Sequence, residues 1–246
     1  MIDFETQSVF PTHAVGLAGP LPPGAERLTL AVADDQKLHG VHIAPPRRTA
    51  APRTLILGFG GNAWNGQDVA AYLHEIFPDA DVVAFHYRGY RPSTGSPSAE
   101  ALLADAPLVH DCAVERVKPK RTVAVGFSIG TGVAAAIAAT RDLDGLILVT
   151  PFDSLTAVAS DWFPMLGGFL RHEMDSGRAL ATSHVPTAII AAELDGIIPR
   201  ARTDGLRRRA ANLVFDRTIG GAGHNDIYAR SDFHQAMRDA LAAVIG

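Results

Sequence analysis

From residue 54 onward, short apolar runs alternate with segments of helical spacing, and this rhythm limits the possible folds more than any other feature of the chain. The runs are T-L-I-L-G-F, D-V-V-A-F-H-Y, R-T-V-A-V-G-F, L-D-G-L-I-L-V-T, P-T-A-I-I-A-A and N-L-V-F-D-R-T-I. Helical spacing falls at 66–77, 97–117, 129–140, 199–211 and 229–245. Near-continuous apolar strands are buried on both faces, and strands that alternate with helices pair in parallel. The expected class is therefore α/β, with a mostly parallel central sheet and helices on both faces. Upstream, R-L-T-L-A-V-A and K-L-H-G-V-H-I-A flank D-D-Q, which predicts a hairpin that adds antiparallel strands at one edge. Residues 1–26, rich in Pro and Gly, read as an irregular arm, and 27–246 as a single domain. The stretch 151–185 interrupts the rhythm as a short, cap-like insertion of one or two helices.

Composition narrows the function. Of 246 residues, 47% are hydrophobic and 20% charged, so the chain has ample apolar material for a core. A net charge of −4 offers nothing for nucleic acid or an anionic membrane, and neither partner is expected. The single cysteine, Cys112, excludes an intramolecular disulfide and a cysteine-rich zinc site. It lies in a predicted helix, where a small buried hydrophobe is expected rather than a reactive thiol. No apolar stretch reaches about 18 residues, and the acidic start M-I-D-F-E-T-Q lacks a signal-peptide core. A cytoplasmic location is the expectation, and no metal or cofactor is called for.

The chemistry is concentrated in Gly126-Phe127-Ser128-Ile129-Gly130. The string G-x-S-x-G is only moderately specific, but here a strand, R-T-V-A-V, precedes it and a small-residue helix, T-G-V-A-A-A-I-A-A, follows it. That is the setting of a nucleophile elbow, in which a tight turn lifts the serine hydroxyl above the carboxyl end of the sheet. The alternative is a plain strand–helix turn with Ser128 as a capping residue. A serine nucleophile needs a base to take its proton. Of the four histidines after Ser128, only His224, in the glycine-rich loop G-G-A-G-H-N-D, directly follows the last strand. His172 and His184 fall in the insertion and His234 in the last helix, where surface or packing roles are expected. The acid that orients the imidazole should follow P-T-A-I-I-A-A. Asp195 fits, with Glu193 as the alternative, while Asp226 reads as a loop-stabilising carboxylate. An oxyanion hole takes two backbone N–H groups. Ile129 should supply one, and the loop Gly60-Gly61-Asn62-Ala63-Trp64-Asn65 the other, through Asn62 or, second, Ala63.

These motifs together resemble an α/β-hydrolase, and within that superfamily the Bem46-like serine hydrolases related to the α/β-hydrolase-domain proteins 12, 13 and 17. The likeness rests on G-G-N-A-W-N, Y-R-G-Y-R-P-S-T-G-S-P-S, G-F-S-I-G-T-G, and L-D-G-I-I-P with G-A-G-H-N-D, from about residue 54 to the end. The resemblance implies cleavage of carboxylic esters, acyl-thioesters or lipids. The sequence departs from the family pattern at Gly60, where the family usually has His, at Thr131, where it has a second Gly, and at Arg91, in place of a Gly.

Two other functions compete. Gly130-Thr131-Gly132-Val133-Ala134-Ala135 matches a degenerate dinucleotide fingerprint, but the next strand ends in Thr150 and the nearest acid, Asp153, follows Pro151. A non-catalytic binding protein on the same scaffold should lack a triad member, whereas Ser128, Asp195 and His224 occur in order. The expected reaction is acyl transfer to water, on an ester, thioester or amide of a small acyl substrate. The insertion is too short for a lid domain, which favours short acyl chains. Its Trp162, Phe163, Met165, Leu166, Phe169 and Leu170 read either as an apolar wall near the site, suited to a longer chain, or as residues buried in the core.

Overall fold

The computed structural model describes residues 9–46, 52–162 and 173–246. The chain forms two compact units, 1–123 and 124–246. In the first, β1 (Glu26–Ala31), β2 (Lys37–Ile43), β3 (Thr54–Phe59) and β4 (Asp81–Phe85) lie in the order β1-β2-β4-β3. The predicted hairpin is β1 and β2, antiparallel from Glu26↔His42 to Ala31↔Lys37. Its turn places Asp34 and Asp35 at φ 61° and 55°, which Asp tolerates better than most residues. β2 runs antiparallel to β4 and β3 parallel to it, so the chain passes here from an antiparallel edge to a parallel sheet. Gly40 on β2 is forced to be small, since a Cβ there would lie 2.6 Å from the Phe85 ring.

Two helices complete this unit, α1 (Gly66–Ile76) and α2 (Ala99–Val117). Asn65 caps α1 by accepting from the Asp68 amide at 2.9 Å, and Ser98 caps α2 by accepting from Ala101 at 3.0 Å. The arm is fastened to the start of α1, where Gly19 N donates to Asp68 at 2.8 Å and Gln67 donates to the Gly19 carbonyl. Two buried acids tie the elements together. Asp105 on α2 takes a bidentate pair from Arg88, at 3.0 and 2.6 Å, and so fixes the loop after β4. Asp81 at the start of β4 accepts from His42 on β2 at 2.8 Å and from Arg53, before β3, at 3.0 and 2.7 Å.

The second unit holds β5 (Arg121–Phe127, which starts in the first unit), β6 (Gly145–Val149), β7 (Thr187–Ala192) and β8 (Leu213–Ile219), in the order β5-β6-β7-β8. β6 and β7 pair in parallel, as do β7 and β8, with a bulge at Thr187/Ala188. Every residue of β6 and β7 is buried, and because alternate side chains face opposite ways, both faces of this sheet are covered. The helices here are α3 (Ile129–Ala138), α4 (Leu155–Trp162), α5 (Ser176–Thr182), α6 (Arg200–Arg209) and α7 (Ser231–Ile245). α7 packs along β6, β7 and β8. The insertion contributes α4 and α5. Phe163, Met165, Leu166, Phe169, Leu170 and His172 lie outside the described residues.

Burial pushes the Asp81 carboxyl up, but hydrogen bonds from His42 and Arg53 outweigh it and bring it down from 3.8 to about 2. A depressed carboxylate stabilises the fold above its unfolded value and loses that contribution as pH falls through the folded one. Urea unfolding at graded pH should therefore show stability falling between about 4 and about 2, and Asp81→Asn should flatten that fall. Equal slopes in the two proteins would place the acid sensitivity elsewhere.

Candidate active site

The turn between β5 and α3 is as tight as the sequence implies. Ser128 sits at φ 50°, ψ −117°, a conformation that few non-glycine residues adopt. A Cβ on Gly126 would lie 2.5 Å from the Gly130 carbonyl oxygen, so only glycine fits beneath the turn. Three hydrogen bonds hold the strained residue in place. Ser128 N donates to Val149 O at 3.0 Å, Thr131 N donates to Ser128 O at 2.9 Å, and the Thr131 hydroxyl donates to the same oxygen at 2.6 Å. The Ser128 side chain makes no capping bond to α3, contrary to the capping alternative, and is left facing His224. Ile129 opens α3, where helix-end amides favour developing negative charge.

Asp195 follows β7. Its Oδ1 accepts from the amides of Ile197 at 2.9 Å and Ile198 at 2.8 Å, so its own loop fixes the carboxylate. The His224 loop follows β8 and is fastened to the end of β7 by Leu194 N to Ala222 O at 2.8 Å. Gly221, at φ 65°, donates to the Glu193 carboxylate at 2.7 Å. Glu193, the alternative acid, thus braces the base loop and does not touch the base. Asp226 accepts from Gly223 N at 2.5 Å, the loop-stabilising role read from the sequence. His224 meets Asp195 through Nδ1, at 3.0 and 2.8 Å from the two carboxylate oxygens, and Ser128 Oγ through Nε2, at 3.0 Å. A carboxylate only accepts, so Nδ1 carries the proton and the Nε2 lone pair faces the hydroxyl. The His224 and Asp195 side chains are only 7% and 8% exposed, which limits competition from water.

The remaining histidines are placed elsewhere. His184 is exposed, and His234 meets the Tyr228 carbonyl oxygen through Nε2 at 2.8 Å. Tyr228 is a site neighbour the sequence did not suggest. Its ring stands edge-on to Phe127 at 5.8 Å and to Phe233 at 6.0 Å. Burial, offset in part by a bond with Thr150 and reinforced by the Asp195 charge, pushes its hydroxyl up to about 12. The phenol therefore stays neutral beside the acid. Its only sequence signal was proximity, four residues after His224.

Asn62 and Ala63 belong to the first unit, in a turn closed by Trp64 N to Gly61 O at 3.2 Å. Two tyrosines of the Y-R-G-Y segment hold that turn, Tyr87 donating to Gly60 O at 2.8 Å and Tyr90 to Asn62 O at 2.5 Å. Gly60 stands where a Cβ would come within 2.8 Å of Val69, which accounts for the absence of histidine there. The dinucleotide alternative finds its space already filled. A Cβ on Gly132 would meet Met174 at 3.0 Å and Phe152 at 3.4 Å, and Asp153 is buried against Gly205 and Arg202. The described residues hold no group of three His, Cys, Asp or Glu side chains suited to a metal ion.

Removing the Thr131 hydroxyl while keeping the side-chain shape should loosen the elbow. Thr131→Val should cost about 1 kcal/mol in urea unfolding, the usual net worth of one hydrogen bond. An unchanged midpoint would mean that the amide of residue 131 suffices alone.

The family model described as the alpha/beta hydrolase fold matches residues 55–174. A Mycobacterium tuberculosis protein described only as uncharacterised is 30% identical over 221 residues, covering 85% of this chain and 78% of its own. A zebrafish relative named as the lysophosphatidylserine lipase ABHD12 is 29% identical, covering 77% of this chain and 58% of its own, in keeping with the Bem46-like resemblance. Among solved structures, an alpha-beta hydrolase from Vibrio vulnificus superposes with a TM-score of 0.76 at 18% identity, over 98% of this chain and 92% of that one. With the strand order, the elbow and these relatives on one scaffold, the chain belongs to the α/β-hydrolase superfamily.

Proposed function

We propose that the chain is a serine hydrolase that cleaves a carboxylic ester, thioester or amide through an acyl-enzyme, with Ser128, His224 and Asp195 as its triad. The observation that carries this reading is the unbroken hydrogen-bond chain from Ser128 Oγ to His224 Nε2, at 3.0 Å, and from His224 Nδ1 to Asp195, at 2.8 Å. In acylation, Ser128 Oγ attacks the substrate carbonyl while its proton passes to Nε2. Asp195 stabilises the imidazolium without taking a proton. The tetrahedral oxyanion meets the Ile129 amide at the start of α3. The imidazolium then protonates the leaving alkoxide, thiolate or amine. In deacylation His224 takes a proton from water, and hydroxide attack releases the carboxylic acid and regenerates Ser128. A second oxyanion donor, the Asn62 amide, is proposed from the sequence alone.

A fluorophosphonate probe should label the wild-type chain, and Ser128→Ala should abolish both labelling and ester hydrolysis, lowering the rate by about 10³-fold or more. Asp195→Asn should cost orders of magnitude in kcat, whereas Glu193→Gln should leave kcat nearly intact. Labelling that survives Ser128→Ala, or a reversed order of the two acid variants, would overturn the assignment.

For the substrate we propose short acyl esters that reach the site without interfacial activation. Domains rarely fall below about 50 residues, so the stretch 151–185 is too short for a lid domain, and each buried methylene adds only about 0.8 kcal/mol. In a p-nitrophenyl ester series, kcat/KM should peak at about two to six acyl carbons, consistent with few buried methylenes. The zebrafish relative's name points to a lipid instead. A rise to long chains, with a jump above the micelle concentration, would favour that reading.

A further inference from the structure

The cap-like helix α4 ends against the loop that carries the proposed triad acid, and two adjacent residues make the connection. Trp162, its last residue, donates its indole Nε1–H to the carbonyl of Ile197 at 2.9 Å. Asp161, one residue earlier, pairs through Oδ2 with Nε of Arg202 at 3.1 Å, and Arg202 also approaches Asp153 at 3.5 Å. Arg202 stands in the first turn of α6, immediately beyond the acid loop. One side of the loop and the helix that follows it are thus both fastened to α4.

The indole contact bears on the acid for a covalent reason. The Ile197 carbonyl and the Ile198 N–H belong to the same planar peptide and point in opposite directions. That N–H donates to Asp195 Oδ1 at 2.8 Å. One rigid unit is therefore held at one end by Trp162 and at the other by the carboxylate. Hydrogen bonds thus link Trp162 through this peptide to Asp195, which also accepts from His224 Nδ1, and His224 Nε2 faces Ser128 Oγ. Trp162 is 53% exposed, and Ile197 and Leu194 beside the acid are 44% and 66% exposed, so water would take the carbonyl if the indole were removed. Water satisfies the oxygen without holding the peptide in place, so losing the indole should affect the geometry of the acid more than fold stability.

We propose that Trp162 is a positioning residue for the triad, holding the 197–198 peptide so that Asp195 presents its carboxylate to His224 in one fixed geometry. This rests on the serine-hydrolase reading above. The variant that tests it is Trp162→Phe, which keeps an aromatic ring and removes only the N–H. With p-nitrophenyl acetate, kcat should fall about fivefold, in line with the loss of one hydrogen bond, and KM should stay within about twofold. The thermal midpoint should be little changed. The low-field proton resonance of His224 Nδ1–H, which requires no turnover, should shift or broaden. In an Asp195→Asn background, Trp162→Phe should have no further effect on the residual rate, because the carboxylate it positions is gone. A wild-type kcat with an unchanged low-field resonance would overturn the proposal. So would a loss confined to KM, or an effect that adds in full to that of Asp195→Asn. If the wild-type chain shows no Ser128-dependent turnover, the hydrolase reading fails, and the resonance of Trp162→Phe against wild type still decides whether the indole holds the acid.

Discussion

The backbone at Ser128 is the constraint around which the second unit is arranged. A non-glycine residue at φ 50°, ψ −117° costs on the order of 1–3 kcal/mol and persists only where its surroundings leave no alternative. Here the surroundings are specific. Val149 at the end of the neighbouring strand takes the Ser128 amide, Thr131 supplies two donors to its carbonyl, and Gly126 leaves room for the helix to begin at once. The strain raises the hydroxyl at the carboxyl end of β5. Because β6, β7 and β8 follow in order, the loops after β7 and β8 emerge at the same end. Asp195 and His224 reach the hydroxyl from those loops because the parallel sheet puts every loop of this kind on one edge.

Buried polar groups serve different ends in the two units. In the first, Asp81 and Asp105 are saturated by Arg and His partners and join strands and loops that sequence separates widely. Removing one partner of such a pair leaves an uncompensated charge, so these contacts specify which elements meet. In the second, the Asp195 carboxylate is also satisfied by three donors, but one of them is an imidazole whose other nitrogen faces a hydroxyl. The same rule of buried-charge satisfaction yields a joint in one unit and, in the other, a hydrogen-bonded line from a carboxylate through an imidazole to a hydroxyl. Burial that raises the Tyr228 hydroxyl adds a wall beside the acid that stays uncharged.

Strands β3 to β7 were legible because a strand buried on both faces is a short, almost wholly apolar run. Ser128, Asp195 and His224 were legible because each sits at a strand end next to a glycine or a helix start, a local pattern. Helix ends were less so. The segment 129–140 ends at Ala138 and 97–117 begins at Ala99, because the caps decide those boundaries. What the sequence could not reveal depends on contacts across long separations. Thr131 looked like a departure from a glycine pattern, and only the folded turn shows its hydroxyl on the Ser128 carbonyl. Glu193 and Asp195 carry the same carboxylate, and position alone favoured Asp195 in the sequence; in the fold Gly221 meets Glu193 and His224 meets Asp195. Trp162 read as part of an apolar wall, yet its N–H, which hydropathy does not register, makes the contact with the acid loop.

Strand β8 is the last in its order, and most of its side chains are at least partly exposed. Asp216 is paired with Arg207 at 2.9 Å, Arg217 reaches Asp239 at 3.3 Å, and the Arg217 guanidinium stands 5.3 Å from the centre of the Phe215 ring. A strand from a second molecule that arrived in register would have to desolvate these charges or pull them from their partners, for a gain of only a few main-chain bonds. The outer strand therefore resists sheet-to-sheet polymerisation through side chains that already pair within their own molecule. Replacing Asp216 and Arg217 by valine would remove these charges and turn this edge into an adhesive one.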